Sequence, residues 1–155
     1  MHTDASLVVA FLNTVNVERG DDLLDDPERW HRWAAEHGVS PNPADDARAA
    51  RDKLRAAIGD PRLPGGALDV ATQISLTEDG PALVAADAVG AVLAASARLA
   101  VRGDWIRLKI CPADDCLWAF YDESRNRSRQ WCSMRVCGNR EKARSWRARA
   151  AEIPS

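Results

Sequence analysis

All four cysteines of this chain lie in one short segment near its carboxyl end. They form two pairs with the same internal spacing, Cys111-x4-Cys116 and Cys132-x4-Cys137, and fifteen residues separate the pairs. Each pair can place two thiolates on one turn, and two such turns can complete a tetrahedral shell around a zinc ion. Because four thiolates leave no ligand position open for water, the pattern predicts one structural zinc ion and no catalytic metal.

Other interpretations of these cysteines remain open: two disulfides, four unrelated core thiols, or a dithiol redox centre. The first residues, Met1 to Asp4, lack the basic start and apolar core of a secretory signal, which favours a cytoplasmic, reducing location. In such a compartment paired cysteines hold metal more often than they form structural disulfides. The x4 spacing also differs from the x2 spacing of dithiol redox motifs. Zinc is therefore the favoured interpretation.

Charge is distributed unevenly along the chain. The net charge of -2 conceals 9 Lys/Arg against 16 Asp/Glu in residues 1–100, and 12 against 7 in residues 101–155. Between residues 124 and 150, nine basic residues stand against one acidic residue, Glu141. Such a basic end suggests contact with a polyanion. Since no apolar run approaches the roughly 18 residues needed to cross a bilayer, we expect a soluble chain without a membrane segment.

The first hundred residues predict a helix-rich domain with one small hairpin. Apolar periodicity and capping residues predict helices over 6–17, 27–37, 43–58 and 87–101. Asp26 is the expected N-cap of the second helix and Asn42 that of the third, while Trp30 and Trp33 should face the core together. The apolar stretches 68–76 and 82–86 flank an Asp-Gly turn and predict a β-hairpin.

The remaining residues predict a small metal-stabilised module. A strand over 105–110 should lead directly to the first cysteine, and Asn139 should cap a final helix that ends near Ala151. The turn at 102–104 is the expected boundary between the two parts. The predicted fold class is therefore α+β, with a regulatory domain at 1–104 and a treble-type zinc module with four cysteine ligands at 105–155.

Arginines dominate the predicted final helix and the loop before it. Guanidinium groups suit bidentate contact with phosphate, so a DNA-binding surface is predicted. The candidate contacts are Arg127, Arg129, Arg140, Lys142, Arg144 and Arg147. Two alternatives remain open: these residues offset the charge of the zinc thiolates or of the acidic half of the chain, or they bind an acidic protein partner.

Two further groups of residues have competing interpretations. Asn13 and Thr14 follow an apolar helix, where they either line a pocket for a small-molecule effector or simply terminate the helix. An enzyme could use His31 or His37 as a base, but no nucleophile–base pair or glycine-rich phosphate loop accompanies them, so we predict that the chain is not an enzyme. A palindromic DNA site would require a homodimer.

At its cysteine segment the chain resembles the bacterial CGNR zinc-finger family. The resemblance rests on the cysteine pairs, Phe120-Tyr-Asp122, the arginines from 125 to 129, Trp131-Cys-Ser-Met134 and Cys137-Gly-Asn-Arg140. The amino-terminal part, with Phe11-Leu-Asn-Thr14, an acidic loop and a helix containing Trp33, resembles the domain that precedes this finger. The resemblance implies a stress-induced transcription regulator with an α+β domain and a zinc module that contacts DNA.

Overall fold

The computed structural model, which describes residues 3–154, consists of helices and short antiparallel strand pairs. The helices of this part are α1 (Thr3–Leu12), α2 (Pro27–Glu36), α3 (Ala44–Ala57), α4 (Ala88–Val101) and α5 (Asn139–Ala151). The strands are β1 (Val15–Asn16), β2 (Asp21–Asp22), β3 (Gln73–Thr77), β4 (Gly80–Val84), β5 (Leu108–Ile110) and β6 (Ala119–Tyr121). Consecutive strands pair as β1–β2, β3–β4 and β5–β6. The α+β prediction is confirmed.

The main core forms where α1 packs against α3 and α4. Phe11 and Leu12 of α1 are fully buried there, as is Leu99 of α4. Trp30 and Trp33 lie one turn apart on α2 and stack with ring centroids 5.3 Å apart, and Phe11 packs on both. The prediction that both tryptophans face the core is confirmed. Leu108, Ile110, Leu117 and Ala119 also belong to this core, so β5 and β6 pack directly on α1.

The first predicted helix is too long, because α1 ends at Leu12. The backbone N–H and the hydroxyl of Thr14 both donate to the carbonyl of Phe11, at 3.1 and 2.8 Å. This local bonding replaces the next helical hydrogen bonds and turns the chain into β1. Thr14 therefore terminates the helix, whereas the side chain of Asn13 bonds to Ala119.

Two predicted helix caps, the start of one strand and one predicted core position also differ from the structure. Asn42 does not cap α3; its side-chain oxygen instead accepts from the backbone N–H of Val89 at 2.9 Å. Asn139 does not cap α5, because a single π-helical turn over Met134–Gly138 runs straight into that helix. Trp105–Arg107 is a 3-10 turn rather than the start of a strand. Within α3, Ala57 is exposed, and arginines occupy inward positions instead.

Other local predictions are confirmed. The carboxylate of Asp26 accepts from the backbone N–H groups of Glu28 and Arg29 at 2.9 and 3.3 Å, which caps α2. The predicted hairpin is β3–β4, but its turn is shifted by one residue: Thr77 pairs with Gly80, so the two turn residues are Glu78 and Asp79 instead of the predicted Asp-Gly. Between residues 3 and 154, no helix is both long and apolar enough to cross a membrane.

Asp22 joins the segment before α2 to one face of α3. Its carboxylate accepts two hydrogen bonds from the guanidinium of Arg51 at 2.8 and 2.9 Å, and it also pairs with Arg48. Arg51 is almost completely buried. Burial opposes ionisation of Asp22, but the hydrogen bonds from Arg51 and from the backbone N–H of Leu24 outweigh it, so the pKa of Asp22 lies below its ordinary value.

Asp22→Asn is expected to lower the free energy of unfolding by about 2 kcal/mol near neutral pH, because buried Arg51 loses its charged partner. The lowered pKa means that ionised Asp22 stabilises the fold above its unfolded-state pKa of about 3.9, and this stabilisation is lost as the pH falls toward the folded-state pKa. The stability difference between the variant and the original protein should therefore shrink below about pH 4. Denaturant unfolding at a series of pH values measures it.

The matched control is Asp25→Asn, because Asp25 pairs with Arg48 through an exposed carboxylate. This control should change stability little at any pH. A difference for Asp22→Asn that stays constant from neutral to acidic pH would contradict the prediction.

Candidate metal centre

The first cysteine pair stands on a tight turn between β5 and β6. Cys111 directly follows β5, and its backbone N–H donates to the carbonyl of Trp118 at 2.9 Å. The turn closes where the N–H groups of Cys116 and Leu117 both donate to the carbonyl of Ala113, at 2.9 and 3.1 Å. Leu117 adopts a positive φ of 49°, which an L-residue rarely does, and this conformation lets the chain reverse into β6.

In the second cysteine pair, Cys137 lies on the π-helical turn Met134–Gly138 that precedes α5, and Cys132 stands two residues before that turn. The hydroxyl of Ser133 accepts from the backbone N–H of Val136 at 3.2 Å and so begins this turn. Gly138 has an ordinary helical φ of -61°, and its missing side chain provides space instead of conformational freedom. A Cβ atom there would lie 2.5 Å from the sulfur of Met134 and 3.2 Å from the ring of Trp131.

The two turns bring all four cysteine sulfurs together. Cys132 Sγ lies 3.6 Å from Cys116 Sγ and 3.6 Å from Cys137 Sγ, and the four sulfurs all lie within 4.8 Å of one another. A tetrahedral zinc thiolate shell with Zn–S bonds of about 2.3 Å places its sulfurs about 3.8 Å apart. The cysteines are not joined as disulfides. Four close sulfurs of this kind could hold one zinc ion.

The pKa values of the four thiols show how a bound cation would affect their ionisation. Burial raises the pKa of Cys116 to about 11, and burial together with the neighbouring thiols raises the pKa of Cys132. For Cys137, burial opposes ionisation, but hydrogen bonds from Arg140 and from the other thiols lower its pKa overall. Adjacent thiolates repel one another, and a divalent cation between them removes that repulsion. The donor set therefore fits zinc.

Asp122 and Lys109 fix the arginine-rich loop between the two cysteine pairs. The fully buried carboxylate of Asp122 accepts from Lys109 Nζ at 2.6 Å and from the backbone N–H of Arg129 at 3.0 Å. The same ammonium group donates to the carbonyls of Arg127 and Arg129, at 2.7 and 2.9 Å. Burial opposes ionisation of Asp122, yet the hydrogen bonds from Lys109 and Ser124 hold its pKa far below the ordinary value.

The structure gives some of the six predicted DNA contacts partners within the protein. Arg140 donates to Glu18 and Asp115 at 3.1 Å and to Cys137 Sγ at 3.4 Å, and the bonds to Cys137 and Glu18 raise its pKa. Arg144 donates to Asp115 at 2.9 Å and to Glu141 at 2.6 Å. These two arginines attach the start of α5 to the first cysteine turn.

The other four candidates lie on the surface of the module. Arg129 places its guanidinium 5.0 Å from the ring centroid of Phe120 and donates to the carbonyl of Trp131 at 2.9 Å and to that of Cys132. Arg127 is exposed on the loop, and Lys142 and Arg147 are exposed on α5. Within residues 3–154, no acidic side chain pairs with these last three.

Asn13 and Thr14 are engaged inside the protein. The side-chain amide of Asn13 donates to the carbonyl of Ala119 at 2.8 Å, and its oxygen accepts from the N–H of the same residue at 2.9 Å. The hydroxyl of Thr14 is buried and accepts from Arg51 at 3.3 Å. Asn13 thus ties α1 to β6, the strand that follows the first cysteine turn.

Arg55 is a functional residue that the periodicity of α3 did not reveal. Its guanidinium is 1% exposed and donates to the carbonyl of Leu12 at 2.9 Å and to that of Leu117 at 2.6 Å. It also donates to the buried carboxylate of Asp60 at 3.0 Å. Arg55 therefore holds the strained residue beside Cys116 and joins the cysteine turn to the helical domain.

The two histidines considered as bases, His31 and His37, lie on α2 and at its carboxyl end. His31 is exposed, whereas the ring of His37 stacks on Trp33 with centroids 4.0 Å apart. His37 Nδ1 lies 2.7 Å from the carbonyl of Trp33, so the ring is bound to its own helix.

Comparison with known protein families separates the chain into two matched regions. Residues 5–108 match the ABATE family model, described as "Putative stress-induced transcription regulator", and residues 107–150 match the model of the CGNR zinc finger. A search of curated proteins gave no match. The two family matches confirm the resemblance seen in the sequence, and both describe regulatory or zinc-finger proteins rather than enzymes.

Proposed function

This chain belongs to the ABATE family of stress-induced transcription regulators and carries a CGNR zinc finger, and we propose that it regulates transcription by binding DNA through its zinc module. The observation that carries the proposal is a helix, α5, that presents basic side chains to solvent directly after a four-sulfur cluster. Duplex DNA, with one negative charge per about 1.7 Å of its axis, is the polyanion that such a surface suits.

We propose that the four clustered cysteines are the ligands of one structural zinc ion. The ligands are Cys111, Cys116, Cys132 and Cys137. A bound zinc supplies a fixed tetrahedral centre that joins the two cysteine turns. The protein supplies the second layer of contacts: Arg140 donates to one sulfur, which offsets the negative charge that four thiolates leave on a divalent metal.

The basic residues divide into two proposed roles. Arg127, Lys142 and Arg147 are exposed and contact phosphates. Arg129, Arg140 and Arg144 position the surface, because their guanidinium groups are engaged with carbonyls, carboxylates or sulfur of the protein itself. No residue of α5 is fully buried and residues 142–151 are all exposed, so most of the helix is open to a partner.

Lys142→Ala/Arg147→Ala is expected to weaken binding of the zinc-loaded protein to duplex DNA and to reduce its dependence on salt. Each lost phosphate contact removes about one from the slope of log affinity against log salt, so the double variant should lower that slope by about 2. Fluorescence anisotropy with a labelled duplex, between about 50 and 200 mM salt, measures both quantities.

The matched control is Arg19→Ala/Arg32→Ala, which removes the same charge from exposed positions of the helical domain. It should leave the slope unchanged. Equal losses in the two variants would indicate a general effect of net charge and would contradict a binding surface on α5.

An acidic protein partner is the alternative occupant of the same surface. It is favoured by the ion pairs of Arg140 with Glu18 and Asp115, since these show the start of α5 already binding carboxylates. Salt-sensitive binding to DNA separates the two functions. The cytoplasmic location, the homodimer and a small-molecule effector at Asn13 and Thr14 stay predictions, as does the domain boundary at 104.

A further inference from the structure

A cavity of about 190 Å³ lies beside the cysteine cluster, between the helical domain and the module. Three of the four cysteines line it, namely Cys116, Cys132 and Cys137, and Asn16 and Arg140 stand on its walls. Since water occupies about 30 Å³ in the liquid, this space admits several water-sized molecules. The sulfurs at this side of the cluster are therefore within reach of small solutes.

The four sulfurs are not equally protected. Cys111 and Cys137 are buried to 0% and 2% exposure and Cys116 to 8%, whereas Cys132 is partly exposed. Arg140 donates a hydrogen bond to Cys137 Sγ at 3.4 Å. The hydrogen-bond partners of Cys132 Sγ within residues 3–154 are two other sulfurs.

These differences determine which sulfur reacts first with an electrophile. In a zinc shell all four cysteines would be thiolates, so the degree of ionisation does not distinguish them. A thiolate that accepts a hydrogen bond has less electron density to share, so Arg140 makes Cys137 Sγ a weaker nucleophile. Exposure also favours reaction at Cys132, because oxidation follows both the thiolate character and the exposure of a cysteine. Cys132 combines the greatest access with the absence, within residues 3–154, of a nitrogen donor to its sulfur.

We infer that Cys132 is an oxidation site for small hydroperoxides, and that its oxidation opens the zinc shell. The inference rests on the proposed zinc ligands and does not depend on DNA binding. The second requirement of such a site is a resolving thiol, and Cys132 has two, since Cys116 and Cys137 each place a sulfur 3.6 Å away.

The reaction with hydrogen peroxide has two steps. The thiolate of Cys132 attacks one peroxide oxygen; the O–O bond breaks, a sulfenic acid forms on Cys132, and the other oxygen leaves as hydroxide and takes a proton from solvent to become water. The thiolate of Cys116 or Cys137 then attacks the sulfenic sulfur, forming a disulfide and displacing hydroxide, which is protonated to water. Two thiolates thereby lose two electrons, and peroxide is reduced to two waters.

The disulfide removes two of the four thiolates from the shell. The remaining pair cannot complete a tetrahedral site, so zinc is released and the order of the module is lost with it. A thiol reductant with added zinc restores the original state, because a disulfide is reversible by exchange.

Titration of the zinc-loaded full chain with hydrogen peroxide tests the inference. Zinc release is followed with a colorimetric chelator, and the oxidised cysteines are identified by mass spectrometry after trapping with a sulfenic-acid reagent. Release should parallel peroxide addition, and both the trapped sulfenic acid and the mapped disulfide should contain Cys132. A first sulfenic acid on another cysteine, or zinc retained while cysteines oxidise elsewhere, overturns the inference.

Histidine substitutions keep the test independent of folding, since zinc also accepts shells of three cysteines and one histidine. Cys132→His should bind zinc and release it at least about tenfold more slowly at equal peroxide, while Cys111→His, its matched control, should respond like the original protein. Equal rates for the two variants overturn the inference. A reduced chain that binds no zinc overturns the proposed ligand set instead, so the two failures are distinguishable.

Discussion

Stripping zinc from the protein with a chelator is expected to unfold the segment from 111 to 150 while the helical domain stays folded. Leu117 and Ala119 of this segment belong to the main core, but apart from three of the cysteines the module's own buried cluster consists of Ala113 and Phe120, which is too little apolar surface to order the rest of the segment alone. Structural zinc contributes about 10–16 kcal/mol of apparent binding energy in small finger peptides. Limited proteolysis, with the fragments identified by mass, shows which segment opens.

The same result is expected for Cys132→Ser, which removes one ligand. The control for the chelator is the same reagent saturated with zinc beforehand, which should leave the protein resistant. Unchanged resistance of the segment from 111 to 150 after complete zinc removal would contradict the account of the module as metal-stabilised.

Arg55→Met is expected to lower the free energy of unfolding by about 3–5 kcal/mol. The substitution keeps an unbranched side chain but removes the guanidinium, which leaves the fully buried carboxylate of Asp60 without its buried partner, and removal of one member of a buried ion pair costs that amount. The carbonyls of Leu12 and Leu117 lose their donor as well. Denaturant unfolding of the zinc-loaded protein measures the loss.

Arg62→Met provides a matched control because Arg62 pairs with the same carboxylate from the surface, with 43% of its side chain exposed. This change should cost about 1 kcal/mol or less, since exposed ion pairs contribute little. Similar costs for the two variants would show that Arg55 does not act as a buried connection. If Arg55→Met lowers the affinity for zinc and Arg62→Met does not, then Arg55 also stabilises the turn beside Cys116.

The cysteine cluster could be predicted from the sequence because a zinc shell needs only two local turns at a suitable spacing. The N-cap of α2 could be predicted for the same reason, because Asp26 and the proline after it act within a single turn. Local hydrogen bonds of this kind leave a pattern in consecutive residues.

Connections between distant residues could not be predicted in this way. Arg51 and Arg55 occupy apolar-looking positions on α3 because their partners, Asp22, Leu117 and Asp60, come from other segments. The hydrogen bonds of Lys109 with Asp122 and the loop likewise appear only once β5 and β6 are paired. Because charged side chains usually lie on the surface, helical periodicity alone predicts that such residues are exposed, and this prediction is wrong.

The basic segment also differs from the prediction made from its sequence. Its sequence suggests one uniform arginine surface, but Arg140 and Arg144 have carboxylate partners on the first cysteine turn and in the helical domain. The residues that hold α5 in place are therefore distinct from the exposed ones, which include Lys142 and Arg147. A zinc ion held by Cys137 would fix the point from which this helix begins.

The most direct test of the account is the binding of the full chain to duplex DNA before and after zinc removal, across a salt series. The account predicts that the zinc-loaded protein binds with an affinity that falls log-linearly with salt, that chelation abolishes binding, and that added zinc restores it. Absence of binding at low salt, or equal binding by the zinc-free protein, would contradict it.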